Sequence, residues 1–230
     1  MKLVLSRHGN TFPPGEKAVW IGCRSDLPLV EEGRRQAMRL GAELREAGIV
    51  PAAIYCGPLS RTSEYAEIVA AQLDYSVTPI VDAALTEIDY GDWEGLSSEE
   101  IRQRFGASML DDWENDSTWP ASTGWQPGEA ELARKLESFV SRLACAHAEA
   151  DTVLAITSNG VLRHFLRLDR DAFVARAQAR ATKVATGKIG IIEVDESFRR
   201  VAVWNEAPEA RLFRSASSFS AKRPQPTRSA

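Results

Sequence analysis

The chain has 230 residues, 44% hydrophobic and 26% charged, which is enough for one substantial α/β core. No long uncharged apolar run is present, so no membrane span is expected. The net charge of −4 hides an acidic body of 23 bases against 32 acids, which argues against a nucleic-acid surface, and five cations with no acid between Arg211 and Ala230.

The opening run Lys2-Leu3-Val4-Leu5-Ser6-Arg7-His8-Gly9-Asn10-Thr11 reads as a short buried strand delivering a cation, an imidazole, a glycine and two small polar residues to a loop. In open α/β sheets ligands bind at the carboxyl ends of strands. Guanidinium presents a planar fork of donors to phosphoryl oxygens, and imidazole is a nucleophile near neutral pH. Alternatively, Arg7 pairs with a carboxylate and His8 is an ordinary strand-end residue. This start lacks the apolar length and cleavage site of a signal peptide. Cys23, Cys56 and Cys145 are widely spaced and form no CxxC, which points to a reducing cytoplasm and no metal site.

Phe12 to Arg24, with Pro13-Pro14-Gly15 and Trp20, has no periodicity and reads as rim of the site. A helix is predicted from about Glu31 to Ala47, with Ala37, Leu40, Leu44 and Ala47 as its apolar stripe and Gly48 as terminator. Ala52 to Cys56 is a short central strand, after which Ser60 is expected to cap a helix buried through Ala66, Val69, Ala70 and Leu73. Arg61 then falls in the first turn of that helix, where a cation is locally unfavourable unless an anion comes to the site. A structural salt bridge is the other reading for Arg61.

Val77 to Ile80 is a third strand. It leads to the loop Leu85 to Gly95, where an acid beside aromatic groups has the setting for a raised pKa and proton donation. Ser97-Ser98-Glu99-Glu100 is a capping-box pattern for a helix through Arg104. From Ala107 to Pro127, acids alternate with Trp113, Trp119 and Trp125, half of the six tryptophans. Two readings stand for this nonperiodic insertion: loop packing, or a lid and specificity wall.

Glu129 to about Cys145 is the longest predicted helix, followed by His147 as a surface residue at its carboxyl end. Thr152 to Thr157 is a strong central strand that runs through Ser158-Asn159-Gly160 into another helix, in which His164 reads as a packing residue. Asp171 to Ala185 reads as an alanine-rich helix. Lys188–Val194 and Arg199–Trp204 read as a hairpin turning around Asp195-Glu196. Residues 1–205 are expected to form one domain, and 206–230 a disordered basic Ser/Pro-rich tail.

Several of these pieces together resemble the histidine phosphatase superfamily, which includes cofactor-dependent phosphoglycerate mutases. The matching residues are Arg7-His8-Gly9, Pro58-Leu59-Ser60-Arg61-Thr62, Leu85-Thr86-Glu87 with Gly91-Asp92-Trp93-Glu94-Gly95, Pro127-Gly128-Glu129, and Thr157-Ser158-Asn159-Gly160. The resemblance implies a three-layer α/β/α fold with a mostly parallel central sheet, phosphoglycerate mutase-like. It implies His8 as nucleophile, Glu87 as general acid, and Arg7, Arg61, Asn159 and Asn10 around the phosphate. Thr11, Trp20, Arg24, Gly160, Trp113, Trp119 and Trp125 are the candidate substrate contacts. It implies no metal and no cofactor, and a small phosphorylated substrate as partner; oligomeric state stays open.

The Glu87 region resembles the phosphatase-type members, and the more basic continuation of the mutases is absent from it. The chain departs from the pattern at Asn159, where the family carries a second catalytic histidine. Asparagine still donates a hydrogen bond but carries no charge. Arg24 and Arg163 are the sequence candidates for compensation. The expected activity is therefore phosphomonoester hydrolysis through a phosphohistidine on His8, slowed by Asn159. The alternatives are a phospholigand-binding or regulatory protein, and a mutase-type phosphotransferase.

Overall fold

A computed structural model describes residues 1–195 and 198–215 of the chain. Six strands form one sheet in the order β3-β2-β4-β1-β5-β6: β1 (Lys2–Arg7), β2 (Ala53–Cys56), β3 (Ile80–Val81), β4 (Thr152–Thr157), β5 (Ile189–Val194) and β6 (Arg199–Glu206). The first four are mutually parallel where they pair; β5 runs antiparallel to β1, and β6 antiparallel to β5. The predicted mostly parallel sheet is thus present, closed on one side by the predicted hairpin. Of the two turn residues named for that hairpin, Glu196 lies outside the described residues.

Period-two alternation divides the apolar side chains of the central strands between two layers. Val4, Ile54, Leu154, Ile156 and Ile191 face a cluster completed by α1 (Glu31–Glu46), α2 (Ser60–Ala71) and α8 (Ala210–Ser215). Leu3, Leu5, Val153, Ala155 and Ile192 face the opposite cluster, built on α3 (Ser98–Phe105), α4 (Ala107–Asp116), α5 (Glu129–Ala146) and α6 (Asn159–Leu166). The remaining helix, α7 (Arg170–Gln178), has no buried residue. This is the three-layer α/β/α arrangement. Among the described residues no helix is long and apolar enough to cross a membrane.

Several local expectations need correction. The third strand is only Ile80–Val81, exposed and at the sheet edge, because Pro79 supplies no ladder donor. Ser60 is the first residue of α2 and does not cap it: Leu59 is the N-cap, and the Asp26 carboxylate accepts from both the Ser60 N–H and hydroxyl, each at 2.7 Å. The supposedly nonperiodic insertion begins with α4, whose buried residues are Leu110 and Trp113. The predicted helix to Ala185 stops at Gln178; Arg180 adopts φ 54°, and residues 181–188 run as irregular chain. His147 is half-buried, 3.4 Å from the Tyr55 hydroxyl.

The region read as a tail also begins in order. In α8, Phe213 is fully buried among the α1 and α2 side chains. The Lys2 ammonium donates to the Phe213 carbonyl at 2.7 Å, and the Ala210 N–H donates to Glu43 at 2.8 Å. The remainder of the predicted tail, 216–230, lies outside the described residues.

Candidate active site

Parallel pairing assembles the site. β1 and β4 are neighbours with Arg7 opposite Thr157, so the loop carrying His8 and the start of α6 carrying Asn159 leave the sheet side by side. The His8 N–H continues the ladder by donating to the Thr157 carbonyl at 3.0 Å. Gly9 lets α1 press against this loop: a β-carbon there would collide with the Gly33 backbone, and one on Gly33 would collide with Asn10.

These elements enclose a cavity of about 460 Å³ lined by Arg7, His8, Arg61, Glu87, Tyr90 and Asn159, among others. His8 is 6% exposed, and its Nδ1 lies 2.8 Å from the Gly9 carbonyl oxygen. A carbonyl only accepts, so Nδ1 carries the proton and Nε2 keeps its lone pair. Burial, then the guanidiniums of Arg7 and Arg61, hold the His8 pKa well below the usual 6.5. The ring is therefore neutral at neutral pH, with its Nε2 lone pair available.

Both arginines are fixed from behind. Arg61, 1% exposed, donates to the carbonyls of Ser25 at 2.8 Å and Gly22 at 3.0 Å. These bonds to backbone, with no carboxylate partner among the described residues, stand in place of the salt-bridge reading. Arg7 donates through Nη1 to the Val184 carbonyl at 2.8 Å, and its buried Nε has no partner among the described residues. The two guanidiniums thus line the cavity with charge that no carboxylate among the described residues neutralises by direct contact.

Glu87 is 5% exposed. Its Oε1 accepts from the Ile88 N–H at 2.9 Å, and its Oε2 from the Tyr90 hydroxyl and the Gly160 N–H, both at 3.2 Å. Desolvation raises its pKa above the ordinary 4.5, against the opposing pull of those N–H groups and the two arginines. A raised carboxyl pKa suits a general acid. Gly160 contributes by its missing side chain: a β-carbon there would lie 2.6 Å from both Glu87 Oε1 and the Tyr90 hydroxyl.

The remaining sequence candidates divide into those that reach the cavity and those that do not. Asn10, Thr11 and Trp20 line it. Asn10 is anchored by Gln36, whose amide donates to Asn10 Oδ1 at 3.2 Å, and by the Thr186 hydroxyl. Arg24 does not line it; its guanidinium pairs with Asp89 at 2.9 Å and with the Gly91 carbonyl. Trp113 and Trp125 are buried core residues, 0% and 4% exposed, and Trp119 packs against the same cluster. Their rings meet edge to face, with centroids of Trp113–Trp125 at 4.8 Å and Trp119–Trp125 at 5.1 Å. They form the packing beneath the insertion, not a wall facing the cavity. Trp113→Ala is accordingly expected to lose about 3–5 kcal/mol of stability in denaturant unfolding. A stable variant with altered KM would return this ring to substrate contact.

His164 packs as expected: its Nδ1 lies 3.1 Å from the Gly160 carbonyl and its ring stands edge-on to Trp119. Sequence reading missed Glu114, Lys183, Ala185 and Thr186, all of which line the cavity. The last three belong to the irregular stretch after α7, and their only local signal is the pair of β-branched threonines, Thr182 and Thr186, before Gly187. Among the described residues no group of three or more His, Cys, Asp or Glu side chains is placed to hold a metal ion.

Comparisons with known proteins agree with this geometry. A Parvibaculum lavamentivorans protein named 2,3-bisphosphoglycerate-dependent phosphoglycerate mutase is 29% identical over 196 residues, covering 84% of this chain and 90% of its own. The structure of Bacillus stearothermophilus YhfR superposes with a TM-score of 0.74 at 30% identity, covering 90% of this chain and 97% of that one. A mycobacterial glucosyl-3-phosphoglycerate phosphatase shares the fold with a TM-score of 0.71 at 22% identity, covering 90% and 99%. The sequence profile of the histidine phosphatase superfamily (branch 1) matches residues 3–207, a span that takes in every residue lining the cavity. With nearly the whole described fold inside that match, the chain belongs to the histidine phosphatase superfamily.

Proposed function

We propose that the chain is a phosphomonoesterase that hydrolyses a small phosphorylated metabolite through a phosphohistidine on His8. The observation that carries this reading is the tautomer of His8: Nδ1–H is held by the Gly9 carbonyl, leaving Nε2 free in a cavity lined by two arginines and a buried carboxyl group. In the first step Nε2 attacks phosphorus, the P–O bond to the alcohol breaks, and protonated Glu87 gives its proton to the leaving oxygen. In the second step Glu87, now a carboxylate, takes a proton from water as its oxygen attacks phosphorus. The P–N bond breaks, releasing phosphate and neutral His8. Arg7 and Arg61 stabilise charge spread over the phosphoryl oxygens in both steps.

The second reading is phosphoryl transfer between positions of a phosphorylated sugar acid, favoured by the name of the Parvibaculum relative. Against it stand Phe12, Val19, Trp20, Ile21 and the carboxylate of Glu114 among the residues that line the cavity. Apolar surface and a negative charge are poor partners for a second phosphate. A panel of phosphomonoesters assayed for released phosphate, beside 3-phosphoglycerate supplied with 2,3-bisphosphoglycerate, separates the readings. Hydrolysis gives phosphate from at least one ester. A mutase gives 2-phosphoglycerate without net phosphate. No product from any of them indicates a binding protein, the outcome that a neutral Asn159 would explain.

A further inference from the structure

We propose that Lys183 is the third cation of the phosphoryl site, supplying the charge that Asn159 does not. This rests on the phosphoryl-transfer reading above. A transferring phosphoryl group spreads its charge over three equatorial oxygens. Arg7 and Arg61 are two fixed cations beside His8, whereas the start of α6 contributes only the neutral amide of Asn159 to the cavity.

The orientation of that amide follows from its partner. Val184 N–H lies 3.0 Å from Asn159 Oδ1, and an N–H needs an acceptor, so the oxygen faces Val184 and the amide NH₂ is the end left to donate. The carbonyl of the same Val184 accepts from Arg7 at 2.8 Å. One residue thus ties together the phosphate-loop arginine, Asn159 and the stretch that follows α7.

That stretch is pinned on both sides of Lys183. The Thr182 hydroxyl meets Ser117 Oγ at 2.9 Å and Arg163 Nη1 at 3.0 Å, and the Thr182 carbonyl accepts from Trp204 Nε1 at 3.0 Å. The Ala185 N–H donates to Asn205 at 2.8 Å, and the Thr186 hydroxyl donates to Asn10. Lys183 lines the cavity, and among the described residues its ammonium makes no hydrogen bond or ion pair.

Other nearby cations are committed elsewhere. Arg163 Nη1 serves Trp113 and Glu114 carbonyls, Ser117 and Thr182, with its guanidinium 4.9 Å from the Trp113 ring centroid. Arg24 is paired with Asp89. The Lys183 ammonium instead sits in the field of Arg7 and Arg163, with Glu114 as the opposing charge. Although the residue is exposed to solvent in part, desolvation and then those arginines lower its pKa. Placing a cation beside two others is unfavourable until an anion enters, and a phosphoryl group is such an anion.

The test compares Lys183→Met and Lys183→Arg in the full chain. Two readouts are used: affinity for inorganic phosphate by titration calorimetry at low salt, and phosphate release from p-nitrophenyl phosphate. Lys183→Met is expected to bind phosphate about tenfold more weakly and to lose about 10²-fold in kcat/KM, with its unfolding midpoint unchanged. Lys183→Arg is expected to stay within about threefold of the parent on both, a rescue that a packing role for the stem would not produce. A Met variant equal to the parent in phosphate affinity and turnover overturns the inference while leaving the hydrolase reading intact. A parent that binds phosphate through Lys183 but turns over nothing overturns the hydrolase reading and leaves the cation assignment standing.

Discussion

Replacing His8 by Ala is expected to lower phosphate release by on the order of 10⁴–10⁶-fold, with affinity for inorganic phosphate nearly intact. The two effects separate because different groups carry them. The proposed nucleophile is one nitrogen, whose lone pair is directed away from the Gly9 carbonyl. The anion is held by guanidiniums fixed independently of it, Arg61 through Ser25 and Gly22, and Arg7 through Val184. Acid-quenched protein from the parent should carry phosphate on histidine, and the variant none. An Ala variant that keeps a hundredth of the parent's activity would mean that another group attacks phosphorus. The acid limb of the parent's kcat/KM reports the same ring. Protonation of His8 removes its lone pair, and burial beside two arginines pushes that event well below 6.5, so activity persists into acid where an ordinary histidine would be charged.

Glu87→Gln is expected to cost about 10²–10⁴-fold in kcat/KM on an alkyl phosphate and far less in kcat/KM on p-nitrophenyl phosphate. The ratio kcat/KM covers only the steps through expulsion of the alcohol and not the later hydrolysis that both esters share. An alkoxide leaves poorly without a proton, whereas nitrophenolate leaves without one. The amide is close in shape to the carboxyl and still accepts from Ile88 N–H, so the cavity is kept while its proton donor is lost. In the parent, Glu87 must be protonated for the first step, and desolvation raises its pKa above 4.5. The alkaline fall in kcat/KM therefore begins as pH rises through that raised value, and it should vanish from the residual activity of the Gln variant. Equal losses on both esters would remove Glu87 from the role of acid and leave it as a brace for Tyr90 and Gly160.

The parts of this site that could be read from sequence are those in which chemistry and backbone lie close together in the chain. β4 is buried from end to end and β1 as far as Ser6, so each carries a short apolar run, and the residues that follow are the ones presented at the carboxyl ends of the strands. Local glycines and aromatic residues mark the loop as a setting for an acid, but only the family resemblance singles out Glu87 among its carboxylates. The stretch 179–187 was not. Its alanines favour helix, yet Arg7, Asn159 and Asn205, distant in sequence, take its backbone groups for their own hydrogen bonds. The same reason hid the cap of α2, which comes from Asp26 and not from the serine beside it. The tryptophans misled in another way. Residues so large and apolar suit a flat substrate and a core equally, and only their packing on one another decides between the two.

The seat of α8 has a practical consequence for anyone trimming or fusing this chain. The last strand ends at Glu206, and a boundary set there by composition would look safe. Cutting after Glu206 would uncover the pocket that Phe213 fills among α1 and α2 side chains and remove the carbonyl that receives the Lys2 ammonium. A chain ending at Glu206 is expected to melt earlier than one ending at Ser215, by about 3–5 kcal/mol of unfolding free energy for the lost aromatic alone. Phosphate binding should survive in whatever fraction remains folded, since no residue of α8 lines the cavity. The helix is a latch on the face of the sheet away from α5 and α6, and a fusion partner belongs beyond it.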